Sequence, residues 1–175
     1  GDAAVMKSKK IRILILMIVL VAIGTIGYFL FASEKDDVLI RRRFSELSET
    51  VRKTGNEGLL VSLEKAKTAS RFFDDYCTLK LEQIPQGVGV MSRENVASNT
   101  ALLRKYFRSM HISFYDMEIR LDPGGDKANA SFTAVFKGNG QGGRIEEPRE
   151  MDAGLVKKDG LWLIQTLAFR DVIQK

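Results

Sequence analysis

Hydrophobic and polar positions divide the 175-residue chain into three regimes. From Ile13 to Ala32, twenty consecutive positions carry no charge, and no helical phase among them leaves a polar stripe. From Val38 to about Met110 apolar residues recur at spacings of three and four, the period of helices with one buried face. Beyond His111 the spacing falls to two, the period of strands.

The middle regime predicts three helices. Val38, Leu39, Phe44, Leu47 and Val51 mark the first, which ends at Gly55. Leu59, Leu60, Leu63, Ala66 and Ala69 mark the second, with Asn56 available as its N-cap. After a short strand at Cys77, Leu79 and Leu81, the segment PQGVGV reads as a loop. Ser92 can cap a third helix whose apolar face runs through Val96, Leu103, Tyr106 and Phe107 up to about Met110.

The last regime predicts hairpins. Ile112 and Phe114 alternate in one phase and Met117, Ile119 and Leu121 in the other, which places a bulge near Tyr115 and Asp116. The chain turns at Asp122-Pro-Gly-Gly, returns with Ala128, Ala130, Phe132, Ala134 and Phe136 on one face, and reaches the glycine-rich GNGQGG, read as a flexible loop. A strand from about Arg144 to Lys157 leads to Asp159-Gly160, a type I′ hairpin signal. The closing LWLIQTLAFRDVI is apolar in both phases, so it reads as a central strand: Leu161, Leu163, Leu167 and Phe169 on one side, and Trp162, Ile164 and Ala168 on the other as a surface for a partner or a second layer.

Helices followed by long antiparallel strands give an α+β layout, with helices on one face of a curved sheet. The order resembles the NTF2-like superfamily, the cone-shaped fold of ketosteroid isomerases, scytalone dehydratase and the SnoaL cyclases. The opening IRRRFSELSETVRKTGNEGLLVSLEKA, the strand DKANASFTAVF and the closing LVKKDGLWLIQTLAFRD carry the likeness, over roughly residues 36 to 173. The resemblance implies a curved sheet with a ligand pocket between its concave face and the first helices, and dimerisation through the convex face. It specifies no chemistry.

The first regime has the length of a bilayer's hydrocarbon core, about 30 Å as a helix. Thirteen of its twenty residues are Leu, Ile, Val or Phe. It is too long for the apolar part of a cleaved signal and offers Leu30 and Ala32 where small residues precede a cut. Lys7, Lys9, Lys10 and Arg12 precede it and Glu34, Lys35, Asp36 and Asp37 follow, so the positive-inside bias puts residues 1–12 in the cytoplasm. The reading is therefore a single-pass anchor at 13–32, a juxtamembrane linker at 33–37 and an exocytoplasmic domain at 38–175, periplasmic if the host is a bacterium. Residues 1–5, ahead of a Met6 that resembles a natural start, are set aside.

Charge narrows the partners. Four of 27 basic and one of 22 acidic residues precede residue 34, leaving the remainder at +2, without the footprint of a nucleic-acid binder. A single cysteine, Cys77, reads as buried and forms no internal disulfide, and a single histidine excludes a multi-imidazole metal centre. No cofactor motif is present: Gly124-Gly125 and Gly138–Gly143 join strands, whereas a phosphate cradle opens a helix. The pocket candidates are Asp74 and Asp75, read as loop acids, with Tyr76, His111, Tyr115 and Asp116. The isomerase-like pattern also wants a tyrosine in the first helix, where this chain has Phe44. Arg41, Arg42 and Arg43 form the densest charge run and are candidates for anionic lipid headgroups. Two functions remain open. One is a non-enzymatic tethered module that binds a protein partner or itself through the sheet, similar in layout to inner-membrane subunits of type IV secretion machines. The other is a pocket enzyme of the isomerase or dehydratase type, or a carrier of a small apolar ligand.

Overall fold

The computed structural model describes residues 36–80 and 88–170. Gly1–Val38 and Leu39–Lys175 are separate compact units. The second holds all the strands described and, from Leu39 onward, the helices. The apolar run 13–32 lies outside the described residues, among which no helix is long and apolar enough to cross a membrane.

The architecture is α+β: three helices and a curved six-stranded sheet, consistent with an NTF2-like cone. Helix α1 spans 36–51, α2 Leu59–Ser70 and α3 Arg93–Tyr106. The strands are β1 (Phe73–Lys80), β2 (Val88–Ser92), β3 (Phe107–Leu121), β4 (Lys127–Gly140), β5 (Gly143–Lys158) and β6 (Leu161–Phe169). They are ordered β2-β1-β6-β5-β4-β3, with β1 parallel to β6 and the other neighbours antiparallel.

One face of this sheet and one face of α1 make the core. Ile40, Phe44, Leu47 and Val51 of α1 are buried at helical spacing, against Ala128, Ala130, Phe132 and Ala134 of β4. The bulge in β3 lies where the phase change places it: the β3–β4 register shifts between Tyr115 and Glu118, and Asp116 takes a positive φ of 51°. Ile112, Phe114, Met117, Ile119 and Leu121 therefore all pack against the same core. Asp159 and Gly160 both have positive φ, as a type I′ turn requires.

Several elements differ from the sequence reading. Val88 to Val90, read as loop, form β2 and pair with β1, because Cys77, Thr78, Leu79 and Lys80 offer an edge to complete. Helix α3 stops at Tyr106 rather than Met110. Phe107 and Met110 satisfy either period, and pairing with Gly140, Asn139 and Gly138 decides for strand. GNGQGG is no open loop: β4 and β5 run into it and leave two residues, Gln141 and Gly142, at the turn. Helix α2 starts at Leu59 behind Gly58, without a side-chain cap, so Asn56 is not its N-cap. The preceding segment is held extended instead, with Lys53 and Met110 exchanging backbone hydrogen bonds of 2.8 and 3.0 Å.

The double apolar phase of β6 also has a different cause. Gly154 pairs with Thr166 but Leu155 with Ile164, so Gln165 is an extra residue and the strand changes phase there. Trp162 and Ile164 face the core before the bulge, and Leu167 packs on the core after it. Trp162 and Ile164, expected on a partner surface, are 2% and 5% exposed; Ala168 is half-buried, opposite Asp152 of β5. The bulge accounts for Leu167 packing on the same core as Trp162 and Ile164, while Leu163, in the other phase, is buried at 8% exposure outside that core.

Candidate functional site

Sheet curvature leaves a cavity of about 460 Å³ between the helices and the concave face. Phe44, Leu47 and Val51 of α1 form one wall, and Val96, Thr100 and Leu103 of α3, spaced four and three apart, form a second. The floor is Ile112 and Phe114 of β3, Phe132, Ala134 and Phe136 of β4, Met151 of β5, and Ile164 and Leu167 of β6. Phe44, Phe114 and Phe132 meet edge to face or tilted, with centroids 5.0 to 5.3 Å apart, and this mutual packing fixes their rings.

Polar and charged side chains in the lining are few: Thr100, Glu147 and Arg149. Glu147 and Arg149 pair with each other at the open end of β5. Thr100 donates its hydroxyl hydrogen back to the Val96 carbonyl at 2.8 Å. The volume falls within the roughly 300–1,000 Å³ of small-molecule sites, and apolar walls with a few polar groups suit an apolar guest.

None of the six pocket candidates, Asp74, Asp75, Tyr76, His111, Tyr115 and Asp116, lines this cavity, whereas Ile164, read as part of a partner surface, does. Asp74 and Asp75 are on β1 rather than in a loop, and they alternate: Asp74 is buried, whereas Asp75 is exposed and pairs with Arg93 at 3.2 Å. Asp74 accepts from Lys158 Nζ at 2.6 Å, the Asp75 backbone N–H at 2.9 Å and Gln165 Nε2 at 3.3 Å. Burial raises its pKa, but those three bonds and the Lys158 charge outweigh it and hold the carboxyl below its ordinary range. A general base at neutral pH needs the opposite shift. Asp74 is thus an ionised anchor between β1, β6 and the end of β5.

Tyr76 and Tyr115 are exposed, as is Asp116 at the bulge. His111 stands on β3, with Nε2 3.3 Å from Arg52 Nη2 and a buried Nδ1 that has no hydrogen-bond partner among the described residues. Burial first, then Arg52 and Lys137, lower its pKa against the opposing pull of Glu49. Cys77 is fully buried, and burial, followed by the charge of Asp74, pushes its thiol to about 11. It is a packing residue.

The arginine run divides as well. Arg43 is tied into the fold: Nε donates to the Trp162 carbonyl at 3.3 Å, Nη2 to the Arg71 carbonyl at 3.4 Å, and the guanidinium lies 4.1 Å from the centre of the Phe72 ring. It is not a free headgroup contact. Arg41 and Arg42 are exposed, and Arg42 approaches Glu46 at 3.7 Å.

Sequence reasoning missed Glu147 and Arg149, and the missing step was a register. With GNGQGG as a two-residue turn, Phe136 stands opposite Glu147 and Ala134 opposite Arg149, which sets this pair on the cavity face. A second missed group is Arg104, fully buried on α3. It donates to the Val51 carbonyl at 2.8 Å and pairs with Glu57, which also binds Lys65 at 2.8 Å. Burial raises the Glu57 pKa, and these two cations more than reverse the effect. The cluster locks the α1–α2 connection onto α3.

No family model matches this sequence, and no curated protein matches it. Solved structures do. The Kfla4162 protein from Kribbella flavida has a TM-score of 0.65 at 12% identity, covering 82% of this chain and 95% of that one. A hexachlorocyclohexane dehydrochlorinase, LinA type 3 from Novosphingobium barchaimii LL02, has a TM-score of 0.60 at 14% identity, covering 80% and 88%. A proposed scytalone dehydratase from Novosphingobium aromaticivorans has a TM-score of 0.61 at 13% identity, covering 79% and 85%. At these identities the likeness is one of fold.

Proposed function

We propose that the domain holds a small, predominantly apolar molecule inside its cone, as a binding or carrier protein. The observation that carries this reading is the cavity itself: about 460 Å³ with Phe, Leu, Ile, Val and Met walls and Thr100, Glu147 and Arg149 as its polar and charged side chains. Dehydrochlorinase and dehydratase titles among the structural neighbours fit a pocket that receives small molecules. Acid–base turnover is the weaker form of the reading, because Asp74, Asp75 and His111 stand outside the cavity and Glu147 is tied to Arg149.

The test is saturable binding of an uncharged fluorescent probe such as N-phenyl-1-naphthylamine. One equivalent should bind with a blue-shifted emission. Ala134→Phe projects a ring into the cavity and should weaken binding at least about tenfold, at a stability cost of about 1–3 kcal/mol and with the circular dichroism spectrum of a folded chain retained. Unchanged probe binding in a folded Ala134→Phe variant would count against the reading.

The apolar run at 13–32 supports placing this pocket beside a membrane, with the C-terminal domain on the exocytoplasmic side. Protease added outside intact cells should then digest the domain. Protection until the cells are lysed would contradict that placement.

A further inference from the structure

The sheet's opposite face carries a second, chemically different site. Residues two apart share a strand face, so the alternation that turns Met110, Ile112, Phe136, Glu147 and Arg149 to the cavity places Ser109, His111, Lys137, Asn139 and Arg144 on the reverse. Register aligns them in two rows, His111 beside Lys137 and Ser109 beside Asn139 beside Arg144. The backbone bridge between Lys53 and Met110 brings Arg52, Lys53 and Thr54 along the edge of β3. Together they line a groove of about 410 Å³.

Its wall contains four permanent cations and no carboxylate. Two of the charges are balanced from outside it, Arg52 by Glu49 at 2.9 Å and Lys137 by Glu146 at 2.8 Å. The other two make no ion pair among the described residues. Lys53 spends two of its donors on the Arg104 and Phe107 carbonyls, at 2.5 and 2.9 Å, so its charge is fixed in place without an acid. Arg144 is exposed, and its charge acts on Glu146, the acid already paired with Lys137, without forming an ion pair of its own. An excess of positive charge, four cations against the two acids Glu49 and Glu146, with fork-shaped donors and small hydroxyl and amide donors in one concavity, matches the needs of a tetrahedral oxyanion.

We propose that this groove binds a phosphate group, with Arg144, Lys137 and Arg52 as charged donors, Ser109, Thr54 and Asn139 as neutral ones, and Lys53 as a fixed positive charge. The proposal is independent of the cavity's occupant. The phosphate can be free or part of a lipid headgroup, and the test separates the two sources.

His111 is the chain's single histidine, so its imidazole C–H signals are free of overlap from another imidazole, and the Lys137→Gln/Arg144→Gln variant ties their movement to this groove rather than to the adjoining hollow that His111 also lines beside Ser48 and Tyr115. The full chain, held in an uncharged detergent at constant ionic strength, is titrated with inorganic phosphate and, separately, with dihexanoyl phosphatidic acid. Saturable movement of the His111 signals is expected, weakened at least about tenfold in Lys137→Gln/Arg144→Gln. Both side chains are partly exposed, and the emission of the single Trp162, buried in the core, verifies that the variant is folded. Similar affinity for both probes identifies free phosphate, whereas at least tenfold preference for the phosphatidic acid identifies a headgroup. Movement no greater than chloride produces, or equal movement in the variant, overturns the proposal.

Discussion

The two ends of the cone are built from the same strands and behave as opposites. At the closed end Ile40, Cys77, Ala128, Ala130, Ala153 and Trp162 are 2% exposed or less, and small residues on β4 and β5 let the indole and the helix settle onto the sheet. At the open end the β4–β5 hairpin continues with Ile145, Glu147 and Arg149 exposed, and aromatic rings pack around space. The contrast teaches that stability and binding have separate addresses along one sheet. Packing is complete where nothing has to enter, and incomplete where a guest is accommodated.

Substitutions at the two ends should separate accordingly. Trp162→Ala at the closed end should produce the largest loss, about 3–5 kcal/mol by chemical denaturation, because it opens a cavity among fully buried neighbours. Arg104→Met should follow at about 3 kcal/mol: the Val51 carbonyl loses its donor, and Glu57 keeps Lys65 as its cation. Phe136→Ala, half-buried at the open end and 5.1 Å from the Phe107 ring, should cost only about 1–2 kcal/mol yet alter probe binding. A closed-end variant that changed probe affinity while an open-end variant did not would erase the distinction.

Acid sharpens the same contrast. Asp74 and Glu57 are both held below their ordinary values of 3.8 and 4.5, so their contribution is present above those values and fades as pH falls through the lowered folded ones. The melting temperature should drop between about pH 5 and pH 3. Lys158→Met, which removes a half-exposed partner of Asp74, should cost about 1–2 kcal/mol at neutral pH and flatten part of that drop. A melting temperature as pH-dependent in the variant as in the wild type would mean that Asp74 is not the group titrating.

Much of the fold was legible because periodicity reports which face is buried. The alternation of Ala128 to Ala134, the phase change at Tyr115 and Asp116, and the Asp159-Gly160 turn each carry a local physical signal. The candidate site was not legible, for a matching reason. Asp74 and His111 were singled out for their chemistry, but what they do depends on Lys158 and Gln165, or on Arg52, which approach from distant parts of the chain. Trp162 and Ile164 read as a surface because the inserted Gln165 puts them out of phase with Leu167, although all three pack on one core. Composition does not encode register, and register decided both the cavity rim and the basic groove.

The most direct measurement is a methyl-resolved NMR titration with a small uncharged aromatic such as propylbenzene. Methyl signals of Ile112, Ile164, Leu167 and Met110, around the cavity, should shift saturably with one common dissociation constant while those of Ile40 and Leu155 at the closed end stay in place. Uniform small shifts at both ends, or none at the cavity residues, would contradict an open end that holds an apolar guest.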